Sequence, residues 1–420
     1  MSKEIMLSRR QMLGLGHPLP SDRSVGRRML FRPRDGPAGD VLVCLFLRGG
    51  ADGLHLVAPF GDPAYYAQRP RIAVPRPDDT RVPAAQRGVA LDGFFALNPA
   101  LAALQEVYRA GHLAVVHAAG SPDQTRSHFS AMETMERGVA NGATAGTGWL
   151  GRHLQTAPGG SRSPMRALAI GDSLPQSLEG ALGATAIHSL NEFRLSLPAM
   201  WTESFHAALA GLYDEAQGPL AEAGRETRRL LHALEDLQPD RYRPEGGARY
   251  PDSDFGRGLA QIAQLIKAEL GLEVACLDHS GWDSHVAQEP VLDGLMRDLA
   301  GGLAAFHADL GARIDRVTLL AMSEFGRRAR ENGGLGTDHG RATCFWLLGG
   351  GIHGGRVVAD WPGLEGARLE GPGDLRVTID YRDLLAEVVA RRLRSPAWTE
   401  VFPDYAPTFH GLCWQRSSPS

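Results

Sequence analysis

Three features of this sequence predict an α/β protein with a doubly wound, mostly parallel sheet flanked by helices. Short runs of unbroken apolarity recur along the chain, amphipathic helical segments separate them, and clusters rich in Gly, Asp and His adjoin the ends of the runs. The first run is Val41, Leu42, Val43, Cys44, Leu45, Phe46 and Leu47. It is too short for an independent helix, and continuous apolarity suits a strand covered on both faces, the usual condition in parallel sheets.

Asn98 with Pro99 after it starts a helix, in which Leu101, Leu104, Val107 and Tyr108 recur on one face until Gly111 stops it. A strand follows at Leu113 to Ala118, completing the strand–helix–strand unit of doubly wound sheets. The middle, about 159–254, reads as an inserted helical and loop region. It contains a short strand from Ala167 to Ile170 and an amphipathic helix with Leu230, Leu231, Leu234 and Leu237. The Pro-, Gly- and Arg-rich segment Pro239 to Pro251 reads as a surface loop. Regular alternation then returns: helix Phe255 to Leu270, strand Leu272 to Leu277, helix Val291 to Leu310, strands Val317 to Met322 and Phe345 to Leu348, and helix Tyr381 to Leu393. Neither repeats nor low-complexity tracts are visible. The expected organisation is a leader over 1–39, one α/β domain over 40–405, and a tail over 406–420.

A chain of 420 residues is long enough for a sizeable core. It is 43% hydrophobic and 22% charged with a formal net charge of −4, so it carries no basic footprint for nucleic acid. No apolar run approaches the roughly 20 residues that span a bilayer. Cys44, Cys276, Cys344 and Cys413 lie far apart, the first three within apolar runs, and read as buried thiols rather than as a disulfide frame. Residues 8–13 (Ser-Arg-Arg-Gln-Met-Leu) look like a twin-arginine export signal. The apolar stretch that should follow is broken by His17, Pro18, Pro20 and Asp22, so the expected location is either the cytoplasm or export through a degenerate signal.

Five polar clusters follow or adjoin expected strands: Arg48 to Gly53, Arg126 to Phe129, Gly281 to His285, Ser323 to Arg327 and Thr337 to Gly340. Ligands of open parallel sheets bind outside the carboxyl ends of the strands, so these clusters are expected to meet at one edge. Carboxylate and imidazole suit zinc or manganese, which makes Asp52, Asp283, His285, Asp338 and His339 candidate ligands for two divalent ions. Adjacent Asp338 and His339 can both ligate if the chain bends sharply, which Gly336 and Gly340 would permit. Ser127 is the candidate nucleophile, and it would need activation by a base or a metal. His128 and Glu324 complete the candidate catalytic set, and Arg48, Arg126 and Arg327 are candidate contacts for an anionic substrate. Each has a plainer alternative: Asp52 and Asp338 as turn residues, Ser127 as a helix cap, the arginines as ion-pair partners. The run Gly349 to Gly355 lacks a Walker lysine, and its His353 is at most a further ligand.

Together the motifs LRGGADGL (47–54), RSHF (126–129), GWDSH (281–285), SEFGRR (323–328) and GTDHGRA (336–342) resemble the bacterial family catalogued as domain of unknown function 1501, over about Val41 to Pro403. That family is in turn similar to the alkaline phosphatase and sulfatase superfamily. The resemblance implies an alkaline-phosphatase-like fold and commonly a two-metal site. By it, Asp52 matches the acid after the first strand, Ser127 falls near the superfamily's nucleophile, and Asp338-His339 matches its metal pair. Asp283 and His285 match less closely. The sulfatase motif C-x-P-x-R and its serine version are absent. The expected function is therefore metal-dependent hydrolysis of a phosphate ester, less so a sulfate ester, in a small-molecule or glycan-linked anionic substrate. The competing expectations are a non-catalytic binding protein on the same fold and a metal-free serine acyl hydrolase; no G-x-S-x-G elbow surrounds Ser127 to favour the latter.

Overall fold

The computed structural model describes residues 40–140, 145–157, 163, 165–191, 199–237 and 239–415. The expected leader over 1–39 lies outside the described residues, as do parts of the expected insertion and the end of the expected tail. In chain order the described strands are β1 (Val41–Arg48), β2 (Val57–Ala58), β3 (Val89–Ala90), β4 (Ala96–Leu97), β5 (Leu113–Gly120), β6 (Ala167–Ile170), β7 (Thr185–Ile187), β8 (Val274–Ser280), β9 (Val317–Met322), β10 (Thr343–Leu348), β11 (Arg356–Val358) and β12 (Ile379–Asp380).

The large sheet has the order β11-β5-β10-β9-β1-β8-β6-β7, with β12 pairing the end of β5. Every pairing in it is parallel except those of β10, which runs antiparallel to both β5 and β9. A chain segment preceding β10 therefore reaches the same sheet edge as segments following β1, β5, β8 and β9. Strands β2, β3 and β4 form a separate small antiparallel sheet.

Helices cover both faces of the large sheet. Alternate side chains of β1 show this: Val43, Leu45 and Leu47 join one apolar cluster, and Leu42, Cys44 and Phe46 join the other. The first cluster includes Phe255, Leu259 and Ile262 of helix Asp254–Lys267 and Leu299, Leu303 and Phe306 of helix Gln288–Leu310. The second includes Met135 of helix His128–Arg137, Trp149 and Leu150 of helix Trp149–Thr156, and Leu384, Leu385 and Val388 of helix Tyr381–Arg391. The apolar runs read as two-sided strands are thus buried on two sides.

Local signals act where expected. The Asn98 side chain accepts from the Ala100 N–H with Pro99 in the first turn, although this turn is a 3-10 helix over Pro99–Leu104 before it becomes α-helical at Gln105–Arg109. Ser253 caps its helix by accepting from Gly256, and Asp380 by accepting from Arg382. In the middle region, helices Ala199–Asp214 and Pro219–Leu237 precede the 239–251 loop. The four cysteines are free and buried. No helix of the described residues is long and apolar enough to cross a membrane. Residues 406–415, expected to form a tail, instead pack onto the domain: Leu412 and Cys413 are buried, and the Cys413 N–H donates to Glu387.

Candidate metal centre

Five loops meet at the edge defined by the ends of β1, β5, β8 and β9 and the start of β10. Their side chains build a cluster centred on Asp283, which follows β8. Asp283 Oδ1 lies 3.0 Å from His285 Nε2 and 3.2 Å from His339 Nε2, and Oδ2 lies 3.5 Å from His128 Nε2. The two imidazole nitrogens of His285 and His339 are themselves 2.9 Å apart. Rings of His128 and His285 stand at 4.5 and 4.7 Å from that of His339, measured between centroids. Ligand atoms of His128, Asp283 and His339 all fall within 4.8 Å of one another.

What each histidine does with its other nitrogen decides what the cluster can hold. His128 Nδ1 is 2.7 Å from Glu324 Oε1, and His339 Nδ1 is 3.0 Å from the carbonyl oxygen of Arg126. Both partners accept only, so Nδ1 carries the proton and in the neutral ring Nε2 presents a lone pair to the centre. His285 Nδ1 faces Asp338 Oδ1 at 3.7 Å. Lone pairs and a carboxylate converging on one point repel one another unless a proton or a cation lies among them. Imidazoles backed by a carboxylate or carbonyl are also the usual arrangement around protein-bound metals. The donor set thus fits a divalent cation.

The electrostatics agree. Burial works to raise the Asp283 pKa, but the hydrogen bond and positive charge of Arg327, with the adjoining imidazoles, outweigh it and hold it at about 2, so the carboxylate stays ionised. Glu324 is likewise lowered: burial opposes ionisation, but His128 and the N–H groups of Gly49 and Gly50 favour it. The hydrogen bond to Glu324 raises the His128 pKa, whereas burial lowers that of His339. The hydrogen bond from Asn332 lowers Asp338.

Most of the polar residues nearby hold these loops together. Arg327 is buried and donates to Gly50 O at 2.7 Å, to Thr337 O at 3.1 Å, to Gly49 O at 2.5 Å and to Asp283 Oδ1 at 2.6 Å. One guanidinium thereby ties three loops and fixes the central carboxylate. Glu324 accepts from the Gly49 N–H at 2.8 Å while it holds His128. Gly49 needs to be glycine: its φ is +121°, and a Cβ there would lie 2.5 Å from the Asp283 nitrogen. Gly336 and Gly340 serve for close approach rather than for a left-handed bend. A Cβ at Gly336 would lie 2.3 Å from His285 O, and one at Gly340 would lie 2.4 Å from the Arg327 carbonyl carbon.

Several expected roles change. Asp52 stands apart from the cluster: it is fully buried, its two oxygens accept from Arg69 at 2.6 and 2.9 Å, and Oδ2 also accepts from Gln288 at 2.6 Å. Those three bonds engage both oxygens in a fully buried setting away from the donor histidines, so the geometry makes it a structural anchor rather than a ligand. Gln288 in turn accepts from the Thr337 hydroxyl at 2.7 Å, so Asp52 supports the Asp338-His339 loop from beneath. Asp338 turns to His285, Asn332 and Arg328 and so orients a donor from outside the cluster. Arg327 is buried and committed to the loop carbonyls and Asp283, which makes it a brace for the loops rather than an exposed anion contact. Arg48 pairs with Glu136 at 2.5 Å and with Asp278 at 3.0 Å, and Arg126 pairs with buried Asp374. His128 faces the cluster as a donor, backed by Glu324. Ser127 is exposed at the N-cap of helix His128–Arg137 and makes no capping hydrogen bond. His353 bonds Gly411 O and packs on Trp414, beyond the opposite end of β10.

Arg69, Gln288 and Asn332 went unnoticed in the sequence. Asn332 had a signal in Asn-Gly-Gly at 332–334: its side chain accepts from the N–H groups of Gly334 and Gly336 and donates to His285 O and Asp338. Arg69 and Gln288 carry no local signal, because their partners lie elsewhere in the chain.

The fold and site define an α/β protein with a three-histidine, one-aspartate cluster at its sheet edge. Residues 40–395 match the family described as "Protein of unknown function (DUF1501)", and the chain belongs to that family. No curated protein matches the chain.

Proposed function

We propose that this chain is a metal-dependent hydrolase of phosphate esters on an alkaline-phosphatase-like fold, working with one divalent cation, zinc or manganese, rather than the two expected from the sequence. The observation that carries the reading is the convergence of Nε2 of His128, His285 and His339 on the carboxylate of Asp283, with the far nitrogens of His128 and His339 held by acceptors. When bound there, a divalent cation supplies Lewis-acid stabilisation of charge on a transferring phosphoryl group.

The chain's own residues do the rest. Glu324 keeps the His128 proton on Nδ1, and Arg327 holds Asp283 ionised and in place. Ser127, exposed and next to His128, is the candidate attacking hydroxyl. Sulfate esters are the less favoured substrates.

Metal analysis of protein reconstituted with zinc or manganese tests this reading, together with phosphatase and phosphodiesterase panels on wild type, Asp283→Asn and Ser127→Ala. The expected result is about one cation per chain, lost in Asp283→Asn, with turnover lost in both variants. Absence of stoichiometric metal after reconstitution overturns it.

A further inference from the structure

One turn outside the donor set grips the chain on either side of it. Residues Glu370 to Asp374 close on themselves, with the Glu370 N–H donating to Asp374 O at 2.9 Å and the Asp374 N–H to Glu370 O at 2.8 Å. The turn is fastened to the backbone of the site: the Ala329 N–H donates to Gly373 O at 3.0 Å, and just beyond the turn the Ala342 N–H donates to Leu375 O at 3.3 Å.

Its two acids each hold an arginine that stands two residues from a donor. Asp374 pairs with Arg126, two before His128, and Glu370 pairs with Arg341, two after His339. Arg341 also donates to Pro122 O at 3.1 Å, and its own carbonyl accepts from the Gly326 N–H at 2.8 Å. Arg126 acts at both donors, because its carbonyl oxygen lies 3.0 Å from His339 Nδ1. The Asp374 side chain is fully buried and has no other hydrogen-bond partner among the described residues. Such a pair adds little net stability, yet breaking it is costly, so it keeps Arg126 in one place.

We infer that the Glu370–Asp374 turn is a positioning clasp for the metal centre, its two carboxylates holding, through Arg126 and Arg341, the chain that presents His128 and His339. This rests on the metal-site reading above. The contact that matters most is at His339. A neutral imidazole has one proton for two nitrogens, and Nε2 stands 3.2 Å from Asp283 Oδ1, a second acceptor for it. With the Arg126 carbonyl in place the proton stays on Nδ1, and the Nε2 lone pair faces the centre. With Arg126 released the balance shifts toward Nε2–H, which closes that nitrogen to a cation until the proton leaves.

Two measurements on the full chain test the clasp: nitrogen-15 spectra of the histidine rings in metal-free protein, with His339 assigned by its loss in His339→Gln, and competition titrations with zinc. Wild type should show the Nδ1–H tautomer at His339. Asp374→Asn should shift it toward Nε2–H and weaken zinc binding about tenfold, and adding Arg126→Gln should bring little further loss, because both changes cut the same link. Asp40→Asn breaks the buried pair with Arg392 at the opposite end of β1 and is the control: stability should fall while tautomer and zinc affinity stay as in wild type. Should Asp374→Asn not fold, Glu370→Gln takes its place, at a partly exposed residue, with zinc binding weakened about threefold or more. Unchanged tautomer and zinc affinity in the folded variant overturn the inference and leave the hydrolase reading standing. Failure of wild-type protein to bind zinc overturns the hydrolase reading and this inference with it.

Discussion

Replacing Asp52 with asparagine separates a structural anchor from a metal ligand, because the two roles predict opposite outcomes. The Asp52 and Arg69 side chains are fully buried, and the pair is bidentate at 2.6 and 2.9 Å. Arg69 also donates to Ala329 O at 2.9 Å and Arg328 O at 3.0 Å, so it cannot swing out to water without breaking four bonds. The substitution keeps the shape but leaves a buried cation without its counterion, which costs about 3–5 kcal/mol. Unfolding entropy near 2.1 cal/mol/K per residue implies that a cooperative unit of about 375 residues loses roughly 1 °C in melting temperature for each 0.8 kcal/mol, hence about 4–6 °C here. Differential scanning calorimetry measures the shift, and metal titration of the folded variant measures the site. Expected are the lower melting temperature and a cation stoichiometry like that of wild type, with a modest loss of affinity because Gln288 links Asp52 to Thr337. Asp52→Asn combined with Arg69→Met should recover much of the loss, since it removes the orphaned charge. An unchanged melting temperature with metal binding abolished would refute the reasoning and restore Asp52 as a ligand.

Three further outcomes follow from the geometry. Glu324→Gln keeps the side chain's size but weakens its hold on the His128 Nδ1 proton, and should lower zinc affinity about 10–100-fold in competition titrations, against a larger loss for Asp283→Asn. Zinc affinity should fall with acidification: the raised pKa of His128 brings proton competition in above the ordinary histidine range, while His339, lowered by burial, competes only at lower pH. Buried His55, His117 and His153 have pKa values pushed down by burial to about 4, so between roughly pH 6.5 and 4 the unfolded chain binds protons that the native chain does not, and stability drops with pH. Urea unfolding should show about 1–3 kcal/mol lost per histidine across that window, and a flat profile would contradict it.

The family's motifs and the sheet-edge rule were both legible in the sequence, and so was much of the centre. Asp283, His285 and His339 were expected as ligands and do converge, because loops leaving parallel strands share one edge. That His339 joins them depends on β10 running antiparallel, which puts the loop before that strand at the edge where the others end. Apolar runs and caps establish where strands and helices lie, since those signals act over a few neighbouring residues. They do not say which carboxylate is left free to bind. Asp52 and Asp283 both follow a strand and both sit among glycines or aromatics, yet one is neutralised by Arg69 and the other faces three imidazoles. The choice is made by partners 17 and more residues away, Arg69 and Gln288 for one, His128, Arg327 and His339 for the other. Electrostatic environment is a property of three-dimensional neighbours, so only the tertiary structure could assign it; the amino-acid order by itself determined the layers, the meeting edge and the chemical types gathered there.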